Sequence, residues 1–455
     1  MVRILDGISD QARRPLAVLM ISAMTCLLLG VVAGMVGTWA YSEKFTSLAG
    51  LTLQHLRPLH TTFGVAWIYM AGCAVVYAYL IEQKEAHAES FWLRLKAHVI
   101  LWVIAGVGVL VSLWQGVFSG REYMGAHWGW SVLIYLGWIL FTWNFFSVVG
   151  FRLQGKPVFL YMWSSSLLLF LYSFAEGNAW HLAFIGDYPL RDIAMQWKSY
   201  GPMVGSFNLL VYGSLAYLSC KLAGNDRYAH SRLAFFLFFI GVFNSFTNFG
   251  HHTYHLPQSH LVKWISCIAS LCEVVIVVKL LLDIVKNTRE KASDLPAVHF
   301  LLKAGTLWSF LTVGSAVMIS VPPINTLIHG THFVMSHAMG SMIGIDSVVL
   351  WAALLYLLHC MVDNDSLSPR RDVFVFATLN LAALLLVGML ATRGIIDGYL
   401  RYMGPRAPAP PDLLRYMPEA FMVLGGVLAI CILFVCLNWI RLLLPMARRA
   451  PPSAK

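Results

Sequence analysis

Residues 16–40 read LAVLMISAMTCLLLGVVAGMVGTWA, a stretch without a single charged side chain. An α-helix needs about 20 apolar residues to cross the hydrocarbon core of a bilayer, so this stretch is long enough to span a membrane. It is too long for the core of a signal peptide, and no small-residue cleavage site follows it. We therefore expect the chain to enter a membrane as a helix near its N-terminus.

Similar apolar runs recur along the rest of the 455-residue chain. Hydrophobic residues make up 58% of the sequence and charged residues only 12%, whereas a soluble domain carries roughly twice that charged fraction. Lipid must therefore surround the protein. The sequence predicts an all-α polytopic membrane protein of about twelve transmembrane helices, forming one domain over residues 1–455. The predicted spans are 16–40, 53–81, 96–119, 129–151, 157–178, 201–221, 232–255, 261–285, 298–320, 329–359, 373–394 and 418–444.

The formal net charge of +10 orients the chain in the membrane and does not indicate nucleic acid as a partner. Lys and Arg gather in alternate loops, for example at 13–14, 152–156 and 370–371, whereas the loop 321–328 has none. The loop 395–417 departs from this alternation. Because basic loops face the cytoplasm, the pattern predicts that both termini are cytoplasmic.

Histidines lie near the predicted outer face in three spans. His60 is in the second span, His251 and His252 are near the outer end of the seventh, and His337 is in the tenth with His329 and His332 nearby. A single buried histidine is most often just a hydrogen-bonded imidazole. Three helices that bring imidazoles to one depth favour ligation of a metal or of haem iron.

Met339 and Glu273 extend this cluster. Met339 follows His337 by two positions, so the two side chains point about 200° apart on a helix and could face two haems. Methionine in a membrane helix is also ordinary packing. Glu273 lies near the middle of the eighth span, where an unpaired carboxylate costs about 2.5–3.5 kcal/mol. We expect Glu273 to be protonated or to lie beside a metal or a proton path.

Several stretches together resemble the catalytic subunit of the haem–copper oxidase superfamily, in the branch of nitric oxide reductases and C-family oxidases. They follow one another in the family's order and cover the second to the tenth span. Each is weak alone, and the combination is specific. The stretches are LRPLHTTFGVAW (56–67), GREYM (120–124), GHHTY (250–254), SLCEVV (270–275) and INTLIHGTHFVMSHAMG (324–340).

The resemblance implies two b-type haems, and the absence of a C-x-x-C-H attachment motif indicates that the chain carries no covalent c-type haem of its own. It implies that His60 binds a low-spin haem and that His337 binds a high-spin haem. Arg57 is a candidate partner for a haem propionate, or only an anchor at the membrane interface. By the same resemblance His251, His252 and Glu273 would hold a non-haem iron or copper, and Glu122 would bind calcium between haem propionates.

The chain also departs from the family pattern. Gly201 or Pro202 stands where the sixth span of the family supplies a third histidine to the non-haem metal, and Gly205 replaces a glutamate of the reductases. Met339 stands in place of the second low-spin haem ligand, and Gly125 replaces an acidic residue of the outer loop. These changes bear mainly on the non-haem metal.

Three functional interpretations follow. In the first, electrons from a separate cytochrome c-type subunit pass from the low-spin to the high-spin haem and reduce a small gas, nitric oxide to nitrous oxide or dioxygen to water. The second is a non-catalytic haem protein that relays electrons, binds or senses nitric oxide, or belongs to a respiratory assembly. The third is a transporter without haem. The resemblance implies the inner membrane of a bacterium, and counting haems and metals separates the interpretations.

Overall fold

The computed structural model describes residues 10–41, 50–83, 87–118, 121, 123–247, 250, 253–254, 259–271, 282, 285, 294–362 and 366–448. Ten helices in these ranges are long and apolar enough to cross a membrane. They are α1 (Asp10–Tyr41), α2 (Leu53–Glu82), α3 (Glu89–Trp114), α4 (Trp128–Val149), α5 (Val158–Gly177), α6 (Pro189–Ala223), α9 (Pro296–Ser320), α10 (His332–Met361), α11 (Pro369–Met403) and α12 (Leu413–Arg448), with α7 (Arg232–Thr247) and α8 (His260–Leu271) between α6 and α9.

The all-α, multi-pass architecture predicted from the apolar runs is confirmed. The helices α7 and α8 coincide with the predicted seventh and eighth spans, but their described parts are shorter than the other ten. The count of twelve spans and the cytoplasmic termini therefore stay predictions.

Proline and glycine fix several helix ends. Pro189, Pro296 and Pro369 each stand in the first turn of their helix, where the missing N–H costs no hydrogen bond. Gly150 and Gly224 follow α4 and α6 with φ of 77° and 68°, a backbone conformation that suits glycine. The lengths of α6 and α11 exceed the predicted 201–221 and 373–394, because apolarity alone does not detect the polar ends of long helices.

The helices α2 and α10 lie at the centre of the protein. In each, 83% of the most apolar stretch is buried, whereas only 33% is buried in α11 and 28% in α12. The latter two therefore present most of their apolar surface to lipid. A site shared by α2 and α10 is enclosed by protein on most sides.

The helices α1 and α2 approach each other closely through small residues. A Cβ at Gly30 would lie 3.1 Å from the backbone nitrogen of Gly64, and a Cβ at Gly34 would lie 2.5 Å from Nδ1 of His60. Glycines spaced by four residues commonly allow such an approach between membrane helices. The backbone of α1 is therefore within hydrogen-bonding reach of the His60 side chain.

The helix α10 is not regular. It consists of an α-helix His332–Met339, a π-helix Gly340–Ser347 and an α-helix Val348–Met361. The prediction of one continuous span over 329–359 is wrong at its start, because His329 follows a separate short helix, Pro322–Ile328, that occupies the predicted loop. Within the π-helix, a Cβ at Gly344 would overlap the Trp308 ring, so glycine lets α9 pack there.

Candidate haem-binding site

His60 is held by the backbone of α1. Its Nδ1 lies 2.8 Å from the carbonyl oxygen of Gly30. A carbonyl oxygen can only accept, so Nδ1 carries the hydrogen and donates it. The other ring nitrogen, Nε2, then has its lone pair free, which is the form of imidazole that binds a metal.

His337 is held in the same way by α9. Its Nδ1 lies 2.9 Å from Oγ of Ser315, and that hydroxyl donates its hydrogen to the Thr312 carbonyl at 2.8 Å. The Ser315 oxygen therefore accepts from the N–H of His337. His337 is half-buried, and its Nε2 is again the nitrogen that has a free lone pair.

Two contacts fix how α2 and α10 lie against each other. Nε1 of Trp67 donates to Oγ of Ser347 at 2.9 Å. About one turn before Trp67 on α2, a Cβ at Gly64 would lie 3.9 Å from Cε of Met342. The later residue of α2 contacts the later residue of α10, and the earlier residue contacts the earlier one. The two helices therefore run in the same direction.

This register relates His60 to Met339. His60 precedes Gly64 by four residues on α2, and Met339 precedes Met342 by three residues on α10. Each therefore lies about one helical turn before the contact between Gly64 and Met342, on the same side of it. His60 and Met339 are both half-buried. A sulfur and an imidazole nitrogen are together a suitable axial pair for low-spin haem iron.

The residues predicted to bind the non-haem metal and calcium lie outside the described residues. These are His251, His252, Glu273 and Glu122. In the part of the chain that the structure describes, no three His, Cys, Asp or Glu side chains come together as a metal site.

The described neighbours of the paired histidines do have defined contacts. The hydroxyl of Tyr254 lies 2.8 Å from the carbonyl oxygen of Ser320, at the end of α9. The Lys263 ammonium donates to the Tyr254 carbonyl at 2.7 Å, and a Cβ at Gly250 would lie 2.8 Å from that of Ser266. The GHHTY motif is thus attached, through its two ends, to α8 and to the end of α9.

The face of α6 that departs from the family pattern is tightly packed. A Cβ at Gly205 would overlap Oγ of Ser245 on α7. Beside this contact is a cavity of about 10 Å³ lined by Asn208, Tyr212 and Asn244 among others, which is room for one water molecule. A glutamate at position 205 does not fit this packing.

Two predicted residues have other surroundings. Arg57 is exposed on α2, about one turn before His60. His332 was predicted to belong to the histidine cluster, but its Nδ1 lies 3.0 Å from the carboxylate of Asp397 on α11, which Arg393 also contacts at 3.0 Å. His332 thus binds a neighbouring helix, which is a structural contact.

Two buried ionisable side chains are not among the residues predicted from the sequence. Arg121, inside the GREYM motif, forms an ion pair with Asp192 and lies 4.9 Å from the centre of the Trp180 ring. Asp346 is fully buried in the π-helix of α10. Both were visible as charged residues in the motif or span, but only their burial in the fold distinguishes them from exposed charges.

The comparison with protein families agrees with this architecture. The family model described as "Cytochrome C and Quinol oxidase polypeptide I" matches residues 14–447. The chain therefore belongs to this family, the subunit I proteins of the haem–copper oxidase superfamily. Members of this family are multi-pass membrane proteins that bind haems and a metal centre, and they work with electron-donor subunits and gas substrates.

Two relatives represent two branches. The chain is 20% identical to a nitric oxide reductase subunit of Stutzerimonas stutzeri, and the alignment covers 80% of this chain and 79% of that one. It is 22% identical to a cytochrome c oxidase subunit 1 homolog of Azorhizobium caulinodans, covering 82% and 69%. The two similarities are too alike to separate a reductase from an oxidase.

A solved structure has the same fold. It is the cryo-EM structure of a heme-copper terminal oxidase dimer, to which the chain aligns with a TM-score of 0.73 and 15% identity. The alignment covers 98% of this chain and 86% of that one. The helices therefore follow the arrangement of this fold along nearly the whole chain.

Proposed function

We propose that the chain is a membrane haem oxidoreductase subunit that passes electrons from a low-spin to a high-spin haem. The observation that carries this proposal is that two imidazoles have the same tautomer, with the hydrogen on Nδ1. His60 donates from Nδ1 to Gly30, and His337 donates from Nδ1 to Ser315. Each histidine thereby keeps Nε2 available to iron.

In this proposal His60 and Met339 would hold the iron of the low-spin haem, and His337 would hold that of the high-spin haem. The haems, when bound, supply one-electron transfer, and we propose that both are b-type; the sequence has no C-x-x-C-H motif for covalent attachment. Arg57, about one turn before His60 on α2, would pair with a haem propionate.

The remaining predicted sites stay part of the proposal. His251, His252 and Glu273 would hold a non-haem iron or copper beside the high-spin haem, with Glu273 also handling protons, and Glu122 would contribute to a calcium site. Two histidines and a carboxylate are a known ligand set for iron. The whole chain, residues 1–455, acts as one membrane domain in a bacterial inner membrane.

The reaction we propose is the reduction of nitric oxide to nitrous oxide or of dioxygen to water. A cytochrome c-type subunit would supply the electrons, since the chain has no covalent haem of its own. The similarity to the nitric oxide reductase of Stutzerimonas stutzeri supports the first gas, and the similarity to the oxidase homolog supports the second.

A second candidate function is a haem protein that relays electrons or binds nitric oxide without reducing it. The contact between Gly205 and Ser245 favours it, because the space for an acidic side chain beside the non-haem metal is filled. Gly201 and Pro202 likewise offer no metal ligand from this helix.

An optical spectrum with metal analysis of the purified protein tests these functions. Two haems and one non-haem iron or copper per chain support the enzyme, whereas haem without a further metal supports the relay or sensor. The His60→Ala variant should lose the low-spin haem and keep the high-spin one. A protein without a Soret band contradicts both candidates and points to a transporter.

A further inference from the structure

Asp346 is a carboxyl group in the interior of the membrane protein without a described partner. Its side chain is 0% exposed, and neither of its oxygens has a hydrogen bond within the described residues. It lies in the π-helix Gly340–Ser347. Short π-helical segments inside α-helices are frequent at functional sites. Burial, missing partners and irregular backbone thus coincide at one residue.

The helices that pack against this π-helix offer no charge to Asp346. The helix α2 contacts it through Trp67, α9 packs the Trp308 ring on it, and α11 approaches Gly340 through Val387. At this level all three helices are uncharged: no Asp, Glu, Lys, Arg or His occurs in residues 61–81, 304–320 or 373–392. The described surroundings of Asp346 therefore hold no counterion.

An ionised carboxylate in such surroundings is costly, because neither water nor a positive charge compensates it. Binding a proton removes the charge. The proton is therefore the ligand that this site favours, and any change of charge nearby alters how firmly the proton is held.

The nearest expected change of charge is at the level of His60 and Met339, and this step rests on the proposed function. Asp346 follows Met339 by seven residues on α10, which corresponds to roughly 10 Å along the helix axis. At this distance two unit charges inside a protein still interact by more than the thermal energy.

We propose that Asp346 is a proton-binding site whose occupancy follows the redox state of the low-spin haem. When a c-type donor delivers one electron to ferric iron, one proton from water converts the Asp346 carboxylate to the acid. When the electron leaves, the acid releases that proton. The positive charge taken up balances the negative charge added nearby.

Infrared difference spectroscopy of the purified full-length protein, reduced minus oxidised, tests this directly. We expect a carbonyl band of a protonated carboxylic acid on reduction, lost in Asp346→Asn and shifted in Asp346→Glu. Asp372→Asn is the matched control, since Asp372 is buried but paired with Arg371. The same band in Asp346→Asn would overturn the proposal. If that variant does not fold, an unshifted band in Asp346→Glu would do so.

The midpoint potential of the low-spin haem provides a second readout. It should fall with rising pH in the parent protein and lose that dependence in Asp346→Asn, and an equal slope in both contradicts the redox link. A preparation without a Soret band refutes the proposed function instead. In that preparation, a carboxylic acid band that Asp346→Asn removes still supports the proton site, and its absence at every pH overturns it.

Discussion

Two helix interfaces of this protein differ in whether they leave donor atoms available to a ligand. Between α2 and α10, the imidazoles of His60 and His337 are oriented by partners on α1 and α9. Between α6 and α7, Gly205 packs directly on Ser245 and leaves room for about one water molecule. The first interface keeps two ring nitrogens prepared for ligands, and the second is closed. In the proposed function, electron transfer would therefore depend on α2 and α10, while α6 at Gly205 serves packing.

The largest effect is expected from Gly34→Ala, which tests the prepared interface. The new Cβ would lie 2.5 Å from Nδ1 of His60, so the imidazole must move away from the Gly30 carbonyl. We expect loss of the low-spin haem spectrum and a destabilisation of about 1–3 kcal/mol. Gly37→Ala is the control, since its Cβ would meet Leu56 at an ordinary 3.7 Å. An unchanged haem spectrum in Gly34→Ala would mean that His60 is not a ligand.

Ser315→Ala should have an intermediate effect, on the high-spin haem. The change removes the acceptor of the His337 N–H, and loss of such a partner typically lowers the affinity for the bound metal by about 10–100-fold. Haem retention measured by absorbance during dilution or chelation reports the loss. Ser309→Ala serves as the control, because within the described part of the chain Ser309 donates to the Gly305 carbonyl of its own helix. Equal haem retention in the two variants would contradict the assigned contact.

The smallest effect is expected at the closed interface. Gly205→Ala places a Cβ on top of Ser245 Oγ, and overpacking of this kind costs about 1–3 kcal/mol. Haem content should stay unchanged while the apparent melting temperature falls. Adding Ser245→Gly should restore much of the loss, because it removes the clashing hydroxyl. A double variant no more stable than Gly205→Ala alone would argue against this packing.

The fold could largely be predicted from the sequence because a membrane span is a local property. Length and apolarity of a run such as 16–40 suffice to identify a helix, and ten helices of span length follow the predicted runs. The π-helix Gly340–Ser347 was not predicted, since it depends on how Trp308 and Trp67 pack against α10. The short helix Pro322–Ile328 was missed because its proline-containing sequence resembles a loop.

The candidate site was predicted only in part for a similar reason. Residue types and their order marked His60, His337 and Met339. The tautomer of each ring, however, depends on Gly30 and Ser315, which are distant in sequence. Asp346 was visible as an acid inside a span, but the absence of a partner for it among the described residues could be recognised only from the packed helices.

The proposed low-spin haem site requires His60 and Met339 to bind one haem, and the Met339→His variant tests this most directly. The optical spectrum of the oxidised parent protein should contain the charge-transfer band of a methionine–iron bond. In Met339→His that band should vanish, and the spectrum should become that of a bis-histidine haem with a lower midpoint potential. If the low-spin spectrum and potential of Met339→His equal those of the parent, Met339 is not a ligand and the account is contradicted.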